Sequence, residues 1–430
     1  MDIKVENLPK NEVRITVKID DKRQKEIENT TAQALSEQVK VKGFREGHAT
    51  AKAIKAQVGE EQFVAYMLEN NIALIYSDAV TEKGIEPISR PNVEIKGDNP
   101  VEFTATFAVM PEVKIKDLDK IKVKAPKIKV DKKEIKEAIE QLTKSHTEYK
   151  TVDRKAKKGD KVEIDFEGFD EGGAAIEGAA SKNHPVIVGE GMFIPGFEEN
   201  LEGVKKDDEI EFTVKFPKDY HQESLQSKPI TFKVKILGIE EPNAPEVDEA
   251  FIEKLTGQKK TKDEFMHEVE HELEHKKIHD EQRKQEDSLF EMFLKKSEVE
   301  VSEILIDDEL QALIQDMQRD AMYRGANFEE FKKVVEAKEG KELPEIYKPK
   351  AEERVKIRFI LDEVIKQRDF KVDDKDVDAE AEKRIGDAGP SVKAQAEETF
   401  NSEKGKMMLK NQMILDMVFK AFIEPIPHEH

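Results

Sequence analysis

The first twenty residues alternate. Ile3 and Val5, then Val13, Ile15, Val17 and Ile19, occupy every second position with polar residues between, the period of a strand with one buried face. Asp20-Asp21 then opens a helical stretch to about Val39, and the loop at 41–49 (VKGFREGHA) separates it from a second helical region at 51–81. Pro87 and Pro91 end that region, and short strands are expected at 93–95 and 101–109. The result is a β-α-α-β-β pattern, an α+β domain over residues 1–112.

Residues 111–130 are Lys-rich and extended between Pro111 and Pro126, and Val130-Asp131 starts a helix to about Ser145. Segment 113–149 therefore reads as a linker whose helix packs on the C-terminal domain. From Gly159 the period is two: Val162, Ile164 and Phe166 alternate, as do Ile210, Phe212, Val214 and Phe216, and then Ile230, Phe232, Val234 and Ile236. Val186-Ile187-Val188 is a short apolar strand and 193–203 a short helix, so residues 150–243 form a small antiparallel sheet with one helix. Beyond Pro242 and Pro245 the pattern is helical, with candidates at 247–256, 261–298, 303–324, 327–338, 345–368, 374–386, 389–400 and 403–422. The fold class expected is multidomain α+β: an N-terminal α+β domain, a small antiparallel β domain, and an extended all-α domain over 244–430.

Composition sharpens this picture. Charged residues make up 38% of the 430 positions, with 72 Lys and Arg against 93 Asp and Glu for a net charge of −21. A 37% hydrophobic fraction favours several small cores and long charge-coated helices over one large core. Cysteine is absent, which removes disulfides, thiol catalysis and Cys metal sites together. No apolar run reaches the roughly 18 residues of a membrane span, and the N-terminus lacks the apolar core of a secretory signal, so a cytoplasmic location without membrane contact is expected.

The first candidate for chemistry is the loop Gly43-Phe44-Arg45-Glu46-Gly47-His48. Its glycines permit a tight exposed turn, and Phe and Arg are residue types that anchor interfaces. Residues 38–55 carry five basic side chains against Glu46, a local +4 on an acidic chain, which suits an anionic partner. Charge alone equally fits an ordinary solvated loop. The string GFREGHAT, however, resembles the ribosome-docking signature of the bacterial trigger factors, Gly-Phe-Arg-x-Gly-x-x-Pro. Gly43, Phe44, Arg45 and Gly47 match, and Thr50 stands where the signature has proline. The order of regions extends the resemblance over the whole chain.

The run from Gly189 to Val204 resembles the core of FKBP-type peptidyl-prolyl isomerases, Gly-x-Gly-x-x-Ile-Pro-Gly-Phe-Glu-x-x-Leu-x-Gly-Val. Prolyl isomerisation needs no nucleophile or metal. It must overcome an amide barrier of about 18–20 kcal/mol, and an apolar, water-poor pocket favours the twisted amide, helped by a well-placed hydrogen-bond donor. Phe166, Ile176, Val186, Phe193, Ile194, Phe197, Tyr220 and Phe232 supply such a lining. The resemblance makes Phe166 the first-strand aromatic, Phe193-Ile194 the start of the short helix, Phe197 the floor where the family often has Trp, Tyr220 a loop tip, Phe232 a wall, and Glu177 the acidic wall residue. From periodicity alone these aromatics fit an ordinary core equally well.

His267, His271, His275 and His279 form one stripe at helical spacing, and His267-Glu-x-x-His271 and His271-Glu-x-x-His275 match a zinc-protease pattern. Such a motif belongs in a half-buried helix, whereas this segment is saturated with Glu and Lys, so the stripe is read as a solvated face, with adventitious metal binding left open. Eight of the twelve methionines follow residue 245, Met317, Met322, Met413 and Met417 among them. Methionine adapts to many partners, and exposed apolar patches rimmed by charge are interaction surfaces; part of these stripes must nevertheless be helix–helix core.

The resemblance implies a cytosolic chaperone that docks on the large ribosomal subunit near the peptide exit tunnel, binds nascent and unfolded chains without ATP, isomerises prolyl bonds, and needs no cofactor. It leaves a homodimer off the ribosome open. The competing readings are a dedicated isomerase dimerised by its helices, which has no need of the 43–50 loop; a metalloprotease, which a chelator would silence; and a nucleic-acid binder, which a charge of −21 disfavours.

Overall fold

The structure is a computed structural model that describes residues 1–427, apart from Lys42, Glu46, Asp219 and residues 221–224; the Glu177 side chain also lies outside the described atoms. The chain forms two compact units, Met1–Pro126 with Glu281–His430, and Lys127–Asp280.

The first unit begins with β1 (Asp2–Leu8), β2 (Glu12–Lys18), α1 (Asp21–Gln38), α2 (Ala51–Val58), α3 (Glu60–Lys83), β3 (Asn92–Asp98) and β4 (Val101–Ala108). The strands make an antiparallel sheet in the order β1-β2-β4-β3. The alternation in β2 lands as its period requires: Val13, Ile15 and Val17 are buried with Phe103 and Phe107 of β4, against Ile54, Phe63 and Met67 of the helices. The helical region expected over 51–81 consists of two helices, because Gly59 takes φ +93° and ends α2 before α3 begins. A short strand β5 (Lys114–Ile115) follows.

The second unit contains α4 (Lys132–Ser145), β6 (Glu148–Thr151), β7 (Lys161–Phe169), β8 (Ala175–Ile187), β9 (Glu209–Lys215), β10 (Pro229–Asn243), α5 (Glu249–Thr256) and the first part of α6 (Lys262–Lys296). Asp131 and Glu134 close a reciprocal capping box at the start of α4. Ile135 of α4 packs with Ile252 of α5 and with Phe265 and Val269 of α6. The sheet runs β6-β10-β7-β8, with β9 on β10, and its core holds Val162, Ile164, Phe197, Leu201, Phe232 and Ile236. The helix expected at 193–203 shrinks to a 3-10 turn at Glu198–Leu201, since Pro195 has no N–H to donate and Gly196 sits at φ +92°.

The first unit resumes with the end of α6, β11 (Ser297–Glu298), α7 (Glu303–Tyr323), α8 (Phe328–Glu339), α9 (Leu343–Arg368), α10 (Asp374–Asp387), α11 (Lys393–Asn401) and α12 (Glu403–Phe422). Segment 121–124 is built into this helical body. Ile121 and Val123 are buried with Leu289, Phe293, Ile360, Val364, Val418 and Phe422. Val123 N–H donates to the Phe422 carbonyl at 2.8 Å, and Gln285 Nε2 donates to the Lys124 and Glu424 carbonyls at 3.1 Å each. No helix of the described residues is long and apolar enough to cross a membrane.

Candidate functional site

The second unit brings most of the expected pocket residues together. β10 places Phe232 opposite Phe212 of β9, while β7 carries Phe166 opposite Val234. The Phe197 ring is fully buried at the centre, stacked on Phe193 at 4.6 Å and meeting Phe166, Phe212 and Phe232 edge-on at 5.8, 5.2 and 5.1 Å. Phe166 also meets Phe193 at 5.9 Å. Ile176, Ile194 and Tyr220 are half-buried at the margin, with Tyr220 edge-on to Phe216 at 4.6 Å. The residues form one aromatic basin with a buried floor and a partly open rim, the low-dielectric surface that a twisting amide prefers.

Three members of the basin escaped the sequence reading. Phe212 and Phe216 were visible only as strand alternation. His184 of β8 lies edge-on to Phe193 at 5.4 Å and to Phe166 at 5.8 Å, and puts a polar edge into an otherwise hydrocarbon wall. Close approach is helped by Gly168, where a Cβ would come within 2.9 Å of Ala179 Cβ and 3.1 Å of the Phe232 ring.

The rim loop is held by an acid. Glu198 is 4% exposed. Its carboxylate accepts the backbone N–H of Gly189 and Gly191 on Oε2 and of Phe193 on Oε1, each at 2.9 Å. Burial pushes its pKa up, but the N–H groups of Phe193, Gly191 and Gly189 outweigh burial and leave it below the usual carboxylate value. Phe193 thus reaches the basin on a loop fixed from beneath. On the outer face of the same sheet a hollow of about 690 Å³ is lined by charged neighbours such as Glu167, Lys233 and Glu211. These alternate with core-facing positions, and Phe166, Ile210 and Val234 also contribute to its lining.

In the first unit Gly43, Phe44 and Arg45 are exposed at the surface, and Gly47 N–H donates to the Ser36 carbonyl at 3.2 Å. Gly43 and Gly47 adopt φ +88° and +78°, conformations that favour glycine, and His48 N–H closes on the Arg45 carbonyl at 3.0 Å. Phe44 is 44% exposed and Arg45 is exposed. Thr50 has a job of its own: it is the N-cap of α2, its Oγ1 accepting from Ala53 N–H at 3.4 Å. Lys42 and Glu46, which enter the local charge, lie outside the described residues.

The four methionines differ in setting. Met322 is 72% exposed at the end of α7, beside Tyr323 at 87% and close in sequence to exposed Phe331 and Val334 of α8. Met317 packs partly against Leu313 and its neighbours, and Met413 and Met417 partly against Val372, Val377 and Leu409. A larger feature has no local sequence signal: a hollow of about 1080 Å³ between α6, α7, α9 and α12, with Phe290, Leu294, Ile357, Leu361, Ile365 and Ile414 on its walls and Arg354, Arg358, Glu309 and Asp362 among them. Burial raises the Asp362 carboxyl above its ordinary value, and nearby Arg358 opposes the rise.

An aromatic basin on a five-stranded antiparallel sheet and a long helical body with apolar hollows define the class: a prolyl isomerase domain of FKBP type joined to a polypeptide-binding scaffold. Comparison with known families agrees at each segment. Residues 1–142 match the bacterial trigger factor protein model, 152–237 the FKBP-type peptidyl-prolyl cis-trans isomerase model, and 261–424 the trigger factor C-terminus model. A trigger factor of Halalkalibacterium halodurans is 30% identical over 388 residues, covering 89% of each chain. One of Bacillus mycoides is 32% identical over 402 residues, covering 92% of this chain and 93% of its own. A solved trigger factor chaperone aligns with 98% of this chain and 99% of its own at 21% identity and a TM-score of 0.44, too distant to add to the argument. The chain belongs to the trigger factor family, ribosome-associated chaperones with an FKBP-type peptidyl-prolyl isomerase domain.

Proposed function

We propose that Phe44 and Arg45, presented between Gly43 and Gly47, dock this chaperone on the large ribosomal subunit near the peptide exit tunnel. The exposure of that tip carries the reading: a half-exposed phenylalanine and an arginine on a glycine-flanked turn are poor investments in stability and good ones in contact. The division of labour follows the segments 1–112 for docking, 113–149 as linker, 150–243 for isomerisation and 244–430 for clients. The prolyl bond enters the basin over Phe197, between Phe166 and Phe232, with Phe193, Ile194, Ile176 and Tyr220 at the rim. Clients meet Met322 at the end of α7 and the hollow walled by Phe290, Ile357 and Leu361, with Met317, Met413 and Met417 adapting nearby. The protein works in the cytoplasm without cofactor.

Co-sedimentation with ribosomes tests the docking claim. A Phe44→Ala, Arg45→Ala double variant keeps its helical circular dichroism and loses association, and wild-type binding weakens as salt shortens the roughly 10 Å reach of charge at 0.1 M. Equal pelleting of variant and wild type refutes it.

A further inference from the structure

The histidine stripe of α6 contains a pair poised as a chelate. His271 and His275 are one turn apart on an exposed helix face, and their Nε2 atoms stand 3.2 Å from each other, with ring centroids at 4.3 Å and planes inclined by 68°. Two imidazole nitrogens bound to one zinc-like ion at roughly 2.0–2.1 Å, with an angle between square and tetrahedral, lie about 2.9–3.4 Å apart. The observed separation falls inside that window, so an ion needs only small ring rotations to be held by both.

The surroundings specify what kind of ion. Residues 261–280 carry seven acidic and three basic side chains, a field that draws cations. Two of the three carboxylates lining the hollow at His267 and His271 are already engaged. Glu268 pairs with Lys260 at 2.7 Å, and Glu264 accepts from Thr261 N–H at 2.8 Å. Among the described residues no three His, Asp or Glu side chains converge on one point. Two imidazoles without carboxylate suit copper, nickel, zinc or cobalt rather than magnesium or calcium, which prefer oxygen.

We propose that His271 and His275 form a two-histidine binding site for a divalent transition-metal ion, the remaining positions being filled by water. The chelate spans one turn of α6. In the metal-free protein one ring donates its Nε2 proton to the other; on binding, that ring carries its proton at Nδ1 and both Nε2 lone pairs turn to the ion. With two protein ligands the ion exchanges readily, and the order of affinity puts copper above zinc and nickel.

The test is titration of the untagged, metal-stripped full-length chain with CuCl₂, NiCl₂ or ZnCl₂ by calorimetry, with MgCl₂ as control. Wild type binds one ion at this site. The His271→Gln, His275→Gln double variant loses that site, each single variant weakens it at least tenfold, and the His267→Gln, His279→Gln double variant keeps it. Copper electron paramagnetic resonance shows two nitrogen ligands in wild type and none from this site in the double variant. All four side chains are exposed, so helical circular dichroism should be common to the set. Equal binding by wild type and the 271/275 variant, including retention through His428 or His430, overturns the assignment, as does equal loss in the 267/279 variant.

Discussion

Glu198→Gln isolates what the buried carboxylate does for the isomerase. The substitution keeps volume and shape, and only the charge and one acceptor change. A glutamine that puts its oxygen at the Oε2 position keeps the bonds from Gly189 and Gly191 and turns its NH₂ toward Phe193 N–H; the opposite rotamer keeps Phe193 and sets NH₂ against two donors. Hydrogen bonds to a charged group contribute about 1.5–3 kcal/mol each, and a buried donor left unmade costs about 1–3 kcal/mol. The better rotamer therefore weakens the loop by roughly 2–4 kcal/mol, with the loss centred on Phe193. Native-state amide exchange should show Phe193 opening faster than in wild type while amides of β7 and β10 keep their protection. Isomerase kcat/KM on an Xaa-Pro peptide should fall at least tenfold, since the ring stacked on Phe197 is then held less firmly. The pH response gives an independent reading. The folded pKa of Glu198 lies below the ordinary glutamate value of 4.5, so its stabilisation is complete above that value and disappears as pH falls through the lowered one. Wild-type activity should show an acid limb that the variant lacks. Unchanged Phe193 exchange would refute the hydrogen-bond argument, and fast exchange with unchanged kcat/KM would refute the claim that loop position matters to catalysis.

Phe197→Ala should cost about 3–5 kcal/mol, because a fully buried ring with four aromatic neighbours leaves a cavity; urea unfolding of the second unit's signal measures it. Glu303, held by Lys10 and Lys348, has its pKa lowered to about 2; its contribution is complete above pH 4.5 and lost toward pH 2, so a titration followed by carboxyl resonances should place its midpoint well below that of an ordinary glutamate. Met322→Ser with Tyr323→Ser should reduce aggregation suppression of an unfolded client while kcat/KM toward a short prolyl peptide stays at the wild-type value; a parallel loss of both would merge the two sites.

Legibility tracked the range of the interaction that decides each feature. Val13, Ile15 and Val17 announced a buried strand face because period two is local, and they are buried. β6, with the sequence Glu-Tyr-Lys-Thr, has no apolar alternation to read; it exists because Thr151 and Lys150 pair with Glu240 and Glu241 at the end of β10. The short helix after Phe193 failed for a tertiary reason as well as a local one: Glu198 serves the loop of Gly189 to Phe193, and helix begins only there. Phe212 became a neighbour of Phe197 through the β9–β10 register, and His184 reached Phe166 and Phe193 beside a register shift between Ile164 and Phe166 of β7. The hollow of α6, α7, α9 and α12 draws its walls from Asp287 to Leu415, and no window of sequence contains it.

The two kinds of apolar surface differ in enclosure, and that difference suits two tasks. Around Phe197 the rings fix one another by edge contacts of 5.1–5.8 Å, so the basin presents a defined shape to a single bond. At the end of α7, Met322 and Tyr323 stand in solvent and bind only as far as a partner covers them. Fully burying one large apolar side chain gains about 1.5–3 kcal/mol, so covering two or three yields roughly 3–9 kcal/mol, centred on millimolar to micromolar dissociation. On the proposed reading, contact that weak releases by itself, and a holder built on exposed methionine needs no nucleotide-driven step. The isomerase needs none either, since its reaction only equilibrates two states of one bond. A single chain with a net charge of −21 keeps both surfaces in solution, and on the proposed reading the ribosome supplies what neither surface has, a high local concentration of unfolded chain.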